Sequence, residues 1–189
     1  MHKSLLISAS DYFRAAFAGG FKEGETGTLD LSDEDPERFG FILEGIYGRR
    51  LNADAIRETI KASSENQAIG YCKLYISLDR YGLVQLKNDL MDSFIKFFGE
   101  SKGRRPEKCV PYIYENTVES SLLRAFTACL VAYHCCQDPN TLMFYREMFN
   151  QFEDFRMDVM KALACNHTKL NDPRDFNERF HEKTPQKAK

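Results

Sequence analysis

Apolar residues recur at intervals of three and four along almost the whole of this chain, and the runs are punctuated by helix-ending glycines and helix-starting Asp-Pro pairs. Leu5, Ala9, Tyr12, Phe13, Ala16 and Phe17 fall on one stripe, Ser10 can cap a second helical segment from Asp11, and Gly19-Gly20 ends the run. Asp35-Pro36 places a capping acceptor before a proline at the first helical position, Phe39, Ile42, Leu43, Ile46 and Tyr47 follow at helical spacing, and Gly48 stops them. The same spacing predicts a helix over 67–81 that buries Cys72, Tyr75, Ile76 and Leu78. After Gly82 it predicts another, carrying Leu83, Leu86, Leu90, Phe94 and Phe97, so the two should pack as a hairpin. A chain patterned this way is committed to a mainly helical fold. Thr28-Leu29-Asp30-Leu31 alternates with period two instead, which reads as one short strand with Leu29 and Leu31 on one face.

The second half continues in the same manner. Residues 51–64 carry a weaker helical signal around Ile56 and Ile60, and the glycines, Pro106 and basic residues of 100–108 mark a linker. Beyond it come a short helix over 110–114, a longer one over 122–134 with Ser120 or Ser121 as cap, and a new start at Asp138-Pro139. From 141 to 165, Leu142, Tyr145, Met148, Phe149, Phe152, Phe155, Val159 and Leu163 form one long or broken apolar face, which reads as core. The organisation expected is therefore a first unit over 1–99, a linker over 100–108, a helical extension over 109–165, and a polar, disordered tail over 166–189.

Composition narrows the function. With 43% hydrophobic and 29% charged residues, the 189-residue chain has the balance of an ordinary globular protein. A net charge of -2 supplies no basic field for nucleic acid or anionic lipid. The apolar stretch 125–133 falls far short of the ~20 residues that span a bilayer, and no targeting segment is legible. The six cysteines, Cys72, Cys109, Cys129, Cys135, Cys136 and Cys165, lie mostly within apolar helical text, as buried thiols of a reducing compartment do, so the expected location is cytoplasmic, nuclear or both. No phosphate-cradling loop, dinucleotide fingerprint, zinc-protease motif or nucleophile elbow is present, which argues against an enzyme and against a cofactor. Cys129, His134, Cys135, Cys136, Cys165 and His167 offer zinc-type donors but no paired C-x-x-C knuckle, so no metal site is expected. Lys102-Gly103-Arg104-Arg105 with Lys108 is a basic cluster of the length usual for a solvated linker.

Several segments in order resemble one family. His2-Lys3-Ser4-Leu5-Leu6 followed by Ser10-Asp11-Tyr12-Phe13-Arg14-Ala15-Ala16-Phe17 resembles the early helices of the BTB/POZ domain, Gly20-Phe21-Lys22-Glu23 its loop before the third strand, and Thr28-Leu29-Asp30-Leu31 that strand. Asp35-Pro36 through Phe39 to Ile46-Tyr47 is similar to the next helix. Leu74-Tyr75 to Asp79-Arg80-Tyr81-Gly82, Leu86-Lys87, Val110 to Thr117 and Leu123-Arg124 resemble the closing helices and extension of small, fungal-type BTB proteins. The family ordinarily places a strand hairpin before its His-Lys-Ser helix, and this chain begins at Met1-His2. The expected fold is thus an N-terminally abbreviated BTB/POZ-like domain, mainly α with one short strand, plus a C-terminal helical extension. The isolated strand must be exposed, paired otherwise, or completed by another chain, unless the true start lies upstream.

The resemblance implies a protein-interaction module without catalysis, used either as an adaptor on a cullin scaffold in ubiquitin ligation or for self-association with another BTB chain. Phe21, Lys22 and Glu23 resemble the hydrophobic-x-acidic loop through which some BTB domains engage a cullin. The plainer alternative has Phe21 folded onto the core with Glu23 solvated. Leu5, Leu6, Tyr12 and Phe13 correspond to what remains of the family's dimer surface, which leaves the oligomeric state in doubt when the first strands are absent. No nucleic acid and no membrane partner is implied.

Overall fold

The computed structural model describes residues 2–62, 66–100, 105–164, 172–175 and 177–183. Among them eleven α-helices follow one another. The first four are α1 (Lys3–Ala9), α2 (Asp11–Ala18), α3 (Lys22–Thr26) and α4 (Pro36–Gly48). Then come α5 (Ala53–Ala62), α6 (Gln67–Arg80), α7 (Val84–Gly99), α8 (Val110–Asn116), α9 (Leu122–Gln137), α10 (Leu142–Gln151) and α11 (Glu153–Ala164). Short 3-10 turns occupy Pro139–Thr141, Pro173–Asp175 and Asn177–Phe180.

The starts form where side chains satisfy the free N–H groups of a first helical turn. The Ser10 hydroxyl accepts from the Phe13 N–H at 3.3 Å and the Asp35 carboxylate from the Arg38 N–H at 2.8 Å, with Pro36 at the first position of α4. The turn between α6 and α7 depends on Gly82, whose φ of 62° is open to glycine without strain. There the Leu83 N–H donates to the Leu78 carbonyl at 3.0 Å and the Gly82 N–H to the Asp79 carbonyl at 2.9 Å, the two bonds of a Schellman stop. That turn folds α7 back on α6 as the hairpin expected from the spacing, with Tyr71, Leu78, Leu90 and Phe94 buried between them.

Expectation fails at 28–31. Among the described residues there is no strand, because no described segment lies alongside to form a ladder. Leu29 and Leu31 still turn inward, half-buried against the core, while the Asp30 carboxylate accepts from the Ser32 N–H at 2.9 Å and bends the backbone. The mainly α fold expected from the spacing is thus present, while the one short strand expected within it is not found among the described residues.

What fastens this irregular segment is Glu34. Its carboxylate is buried and accepts from the Ser77 hydroxyl at 2.9 Å, the Tyr81 hydroxyl at 3.0 Å and the Arg38 guanidinium at 3.0 Å. Tyr81 is the common partner: its ring stacks on Phe13 at 5.3 Å and meets Tyr12 and Phe39 edge-on, and its carbonyl accepts from the Ser10 hydroxyl. Burial, reinforced by Glu34, holds the phenol well above its ordinary pKa, so it stays a donor.

The helices after the 100–108 segment pack on the same core. Phe126 of α9 lies 5.8 Å from Phe94 and 6.2 Å from Phe98 of α7. Arg124, also on α9, is buried because it closes the end of α8, donating to the Tyr114 carbonyl at 2.9 Å and to the Thr117 hydroxyl at 2.9 Å. The apolar run 141–165 breaks at Phe152 into α10 and α11, and it is only partly core: Tyr145, Phe155 and Val159 are buried, whereas Leu142 is 45% exposed. Of the tail over 166–189, residues 172–175 and 177–183 are described. Polar as it is, its described part folds onto α7 and α9, with Pro173 and Phe180 buried and the Arg174 guanidinium donating to the Phe98 carbonyl at 3.2 Å. Phe180 meets the Phe126 ring edge-on at 5.2 Å.

Tyr81→Phe keeps the ring stacking but removes one donor from a buried carboxylate, and should lower unfolding free energy by about 1–3 kcal/mol in denaturant titration. Tyr12→Phe, at the exposed edge of the same cluster, should change it by less than about 0.5 kcal/mol.

Candidate partner-binding surface

The segment carrying Phe21, Lys22 and Glu23 is built by glycine. α2 ends at Gly19, where a Cβ would stand 2.4 Å from the Ala15 carbonyl oxygen and 3.0 Å from Cε2 of Phe21. Gly20 then takes a φ of 71°, which turns the chain outward and sets Phe21 at the N-cap of α3. The expected loop is a one-turn helix, closed at Gly27 with a φ of 66°. Lys3 secures it: its ammonium donates to the Gly24 carbonyl at 3.2 Å and lies 5.4 Å above the Phe17 ring.

Phe21 is 58% exposed, and Lys22 beside it is exposed while Glu23 is half-buried. The Phe21 ring is thus set at the surface by the turn at Gly20 and left open to water. The alternative, in which Phe21 belongs to the core, does not describe this geometry. The N-terminal unit also leaves Tyr12 and Tyr47 exposed, and Tyr47 takes the backbone N–H of His2 on its hydroxyl at 3.2 Å. Helical spacing placed Tyr47 on the same stripe as Ile46; nothing in the sequence distinguishes the buried isoleucine from the exposed tyrosine except the amphipathic nature of the latter.

The four residues of the other candidate surface separate. Leu6 and Phe13 are buried among the core side chains and cannot meet a partner, which leaves half-buried Leu5 and exposed Tyr12. Leu5 borders a cavity of about 380 Å³ between α1, α4 and the start of α7, with Ser8 and Arg49 also on its wall.

The zinc-type donors among the described residues lie apart. Cys129 is half-buried, Cys135 buried and Cys136 exposed on successive faces of α9, and among the described residues no three His, Cys, Asp or Glu side chains group as ligands; Cys165 and His167 lie outside the described residues. Burial pushes the Cys135 thiol up to about 11 and the His134 imidazole downward, favouring neutral forms. Of the basic cluster, residues 102–104 lie outside the described residues, and the Arg105 guanidinium sits 4.1 Å from the Phe144 ring centre, engaged in stacking. Among the described residues no helix is long and apolar enough to cross a membrane.

Comparison with known proteins places the exposed Phe21 edge inside a recognised region. Residues 1–68 match the family model of the BTB/POZ domain. Kelch-like protein 9 of Mus musculus is 32% identical over 81 residues, 40% of this chain and 13% of that protein. Kelch-like protein 26 of Danio rerio is 35% identical over 65 residues, 33% of this chain and 11% of that one, and Kelch-like protein 40 of Xenopus tropicalis is 44% identical over 46 residues, 24% and 8% respectively. The chain thus covers about an eighth of the length of the first of these relatives. No solved structure matches significantly.

Phe21→Ala should leave the melting temperature within about 1 °C of the parent, since it removes exposed surface, whereas Phe13→Ala should cost about 3–5 kcal/mol in chemical denaturation. Under native conditions iodoacetamide should modify Cys136 ahead of the other described cysteines and spare Cys72 and Cys109, as read by peptide mass spectrometry.

Proposed function

We propose that the chain is a non-enzymatic protein-interaction module of BTB/POZ type that serves as an adaptor on a cullin-type scaffold in ubiquitin ligation. The observation that carries this reading is the exposure of Phe21 at the N-cap of a short helix, with Glu23 one residue beyond Lys22, inside the stretch that matches the BTB/POZ model. Phe21 enters an apolar groove of the scaffold, and the Glu23 carboxylate fixes register at its rim. The unit 1–99 bears this surface, and the extension over 109–165 stiffens it through the Phe94, Phe98 and Phe126 contacts. That extension, with Val110 to Thr117 and Leu123-Arg124, supports the finer likeness to small fungal-type BTB proteins, and a scaffold of this class places the chain in the cytoplasm or nucleus.

The second reading, self-association through α1 and α2, has less surface to draw on, because Leu6 and Phe13 are consumed by the core. It retains Tyr12 and the cavity beside Leu5.

Titration of the full chain against a purified cullin N-terminal domain by calorimetry tests the adaptor reading. Phe21→Ala should weaken binding by about 2 kcal/mol, roughly thirtyfold in Kd, with Lys22→Ala nearly silent. Absence of binding by the unaltered chain removes the cullin role and leaves a scaffold that associates by other means.

A further inference from the structure

The described end of the chain is seated on α7 and α9 in the manner of a bound peptide. Phe180 is only 2% exposed, and its ring meets Phe126 edge-on at 5.2 Å. Two residues on, the Asn88 side-chain amide reads the backbone of Glu182 twice: its N–H donates to the Glu182 carbonyl at 2.9 Å, and its oxygen accepts the Glu182 N–H at 2.8 Å. Between them His181 joins Asp92 through Nε2 at 2.7 Å. The Glu182 carboxylate pairs with Lys87.

These contacts differ from ordinary core packing in what they recognise. A paired amide that satisfies both backbone groups of one residue fits any segment laid in that register, whatever its side chain there. The cleft beside Phe126 then selects an aromatic, and Lys87 selects an acid. Lys87 is buried, lies 5.3 Å from the Tyr75 ring, and has otherwise the Asp79 carboxylate, which is itself half exposed. With the tail lifted away, the Lys87 ammonium loses one of its two carboxylates and the Phe126 ring loses its Phe180 partner, so the empty groove favours an incoming segment with an aromatic and, two positions on, a carboxylate.

We infer that the α7–α9 groove is a docking site for a segment of a partner protein carrying an aromatic-x-acidic pattern, and that residues 180–182 occupy it in cis as a tethered competitor. The site is separate from the α3 edge and does not depend on the adaptor reading. Tethering gives the tail an effective concentration in the millimolar range, so a free peptide binds detectably once the tail's anchor is removed.

The test uses the full chain and a fluorescein-labelled peptide of residues 177–183, followed by anisotropy. Phe180→Ala in the protein should tighten peptide binding at least tenfold relative to the unaltered chain, and Asn88→Ala added to Phe180→Ala should abolish the gain. An analogue peptide with alanine in place of its phenylalanine, or glutamine in place of its second glutamate, should bind at least tenfold and several-fold more weakly. Binding to Phe180→Ala no tighter than to the unaltered chain overturns the proposal. So does a Phe180→Ala chain that fails to fold and is not restored by saturating peptide, because a groove that can be filled only in cis is core. Dimers between Phe180→Ala and unaltered chains in sedimentation would assign the groove to a second copy and overturn the partner reading.

Discussion

The buried carboxylate of Glu34 is the constraint around which the N-terminal half is arranged. A charge removed from water is tolerated only when its lone pairs are filled, and three donors, Arg38 of α4, Ser77 of α6 and Tyr81 at the C-cap of α6, converge on this one. Because Tyr81 is one of them, the last turn of α6 is drawn against the irregular stretch 27–35, and the same tyrosine offers its ring to Phe13 and its carbonyl to Ser10. The start of α2 is thereby registered against the end of α6 across seventy-one positions of sequence. Without a sheet among the described residues to hold these segments in place, a polar node does so, and such a node fixes one arrangement more sharply than apolar packing alone.

Position at the surface follows from that registration. Once α2 is fixed by Phe13 and Phe17, its final residues have one course, through Gly19 and Gly20, and the left-handed turn at Gly20 delivers Phe21 outward. The N-terminal helix cooperates through Lys3, which bonds the Gly24 carbonyl and rides on Phe17. A rigid backing with an exposed aromatic at its edge lowers the ordering cost of association, and the anchoring role proposed for Phe21 rests on this.

Much of this was legible from local signals and some was not. Ser10, Asp35-Pro36 and Gly82 announced their helix ends because caps and positive-φ turns act within a few residues, and the α6–α7 hairpin followed from periodicity. The 28–31 segment misled because alternation reports which faces are apolar and says nothing of whether a neighbouring strand exists to pair with. Leu6 and Phe13 look alike to Leu5 and Tyr12 at the level of a stripe; which of them is buried depends on what packs over the stripe, and over Phe13 that includes the ring of Tyr81, far along the chain. The same holds for the tail, whose one apolar anchor, Phe180, finds its cleft only once α7 and α9 are assembled.

Hydrogen–deuterium exchange of the full chain, with and without the cullin N-terminal domain, tests the central claim most directly because it reports where a partner sits without altering a residue. The account predicts new protection confined to 19–26, with the amides of α6 and α7 unchanged because Glu34 and the Gly82 turn already hold them. Protection that falls instead on α1 and α4 around the Leu5 cavity, or no change at any amide, would contradict it.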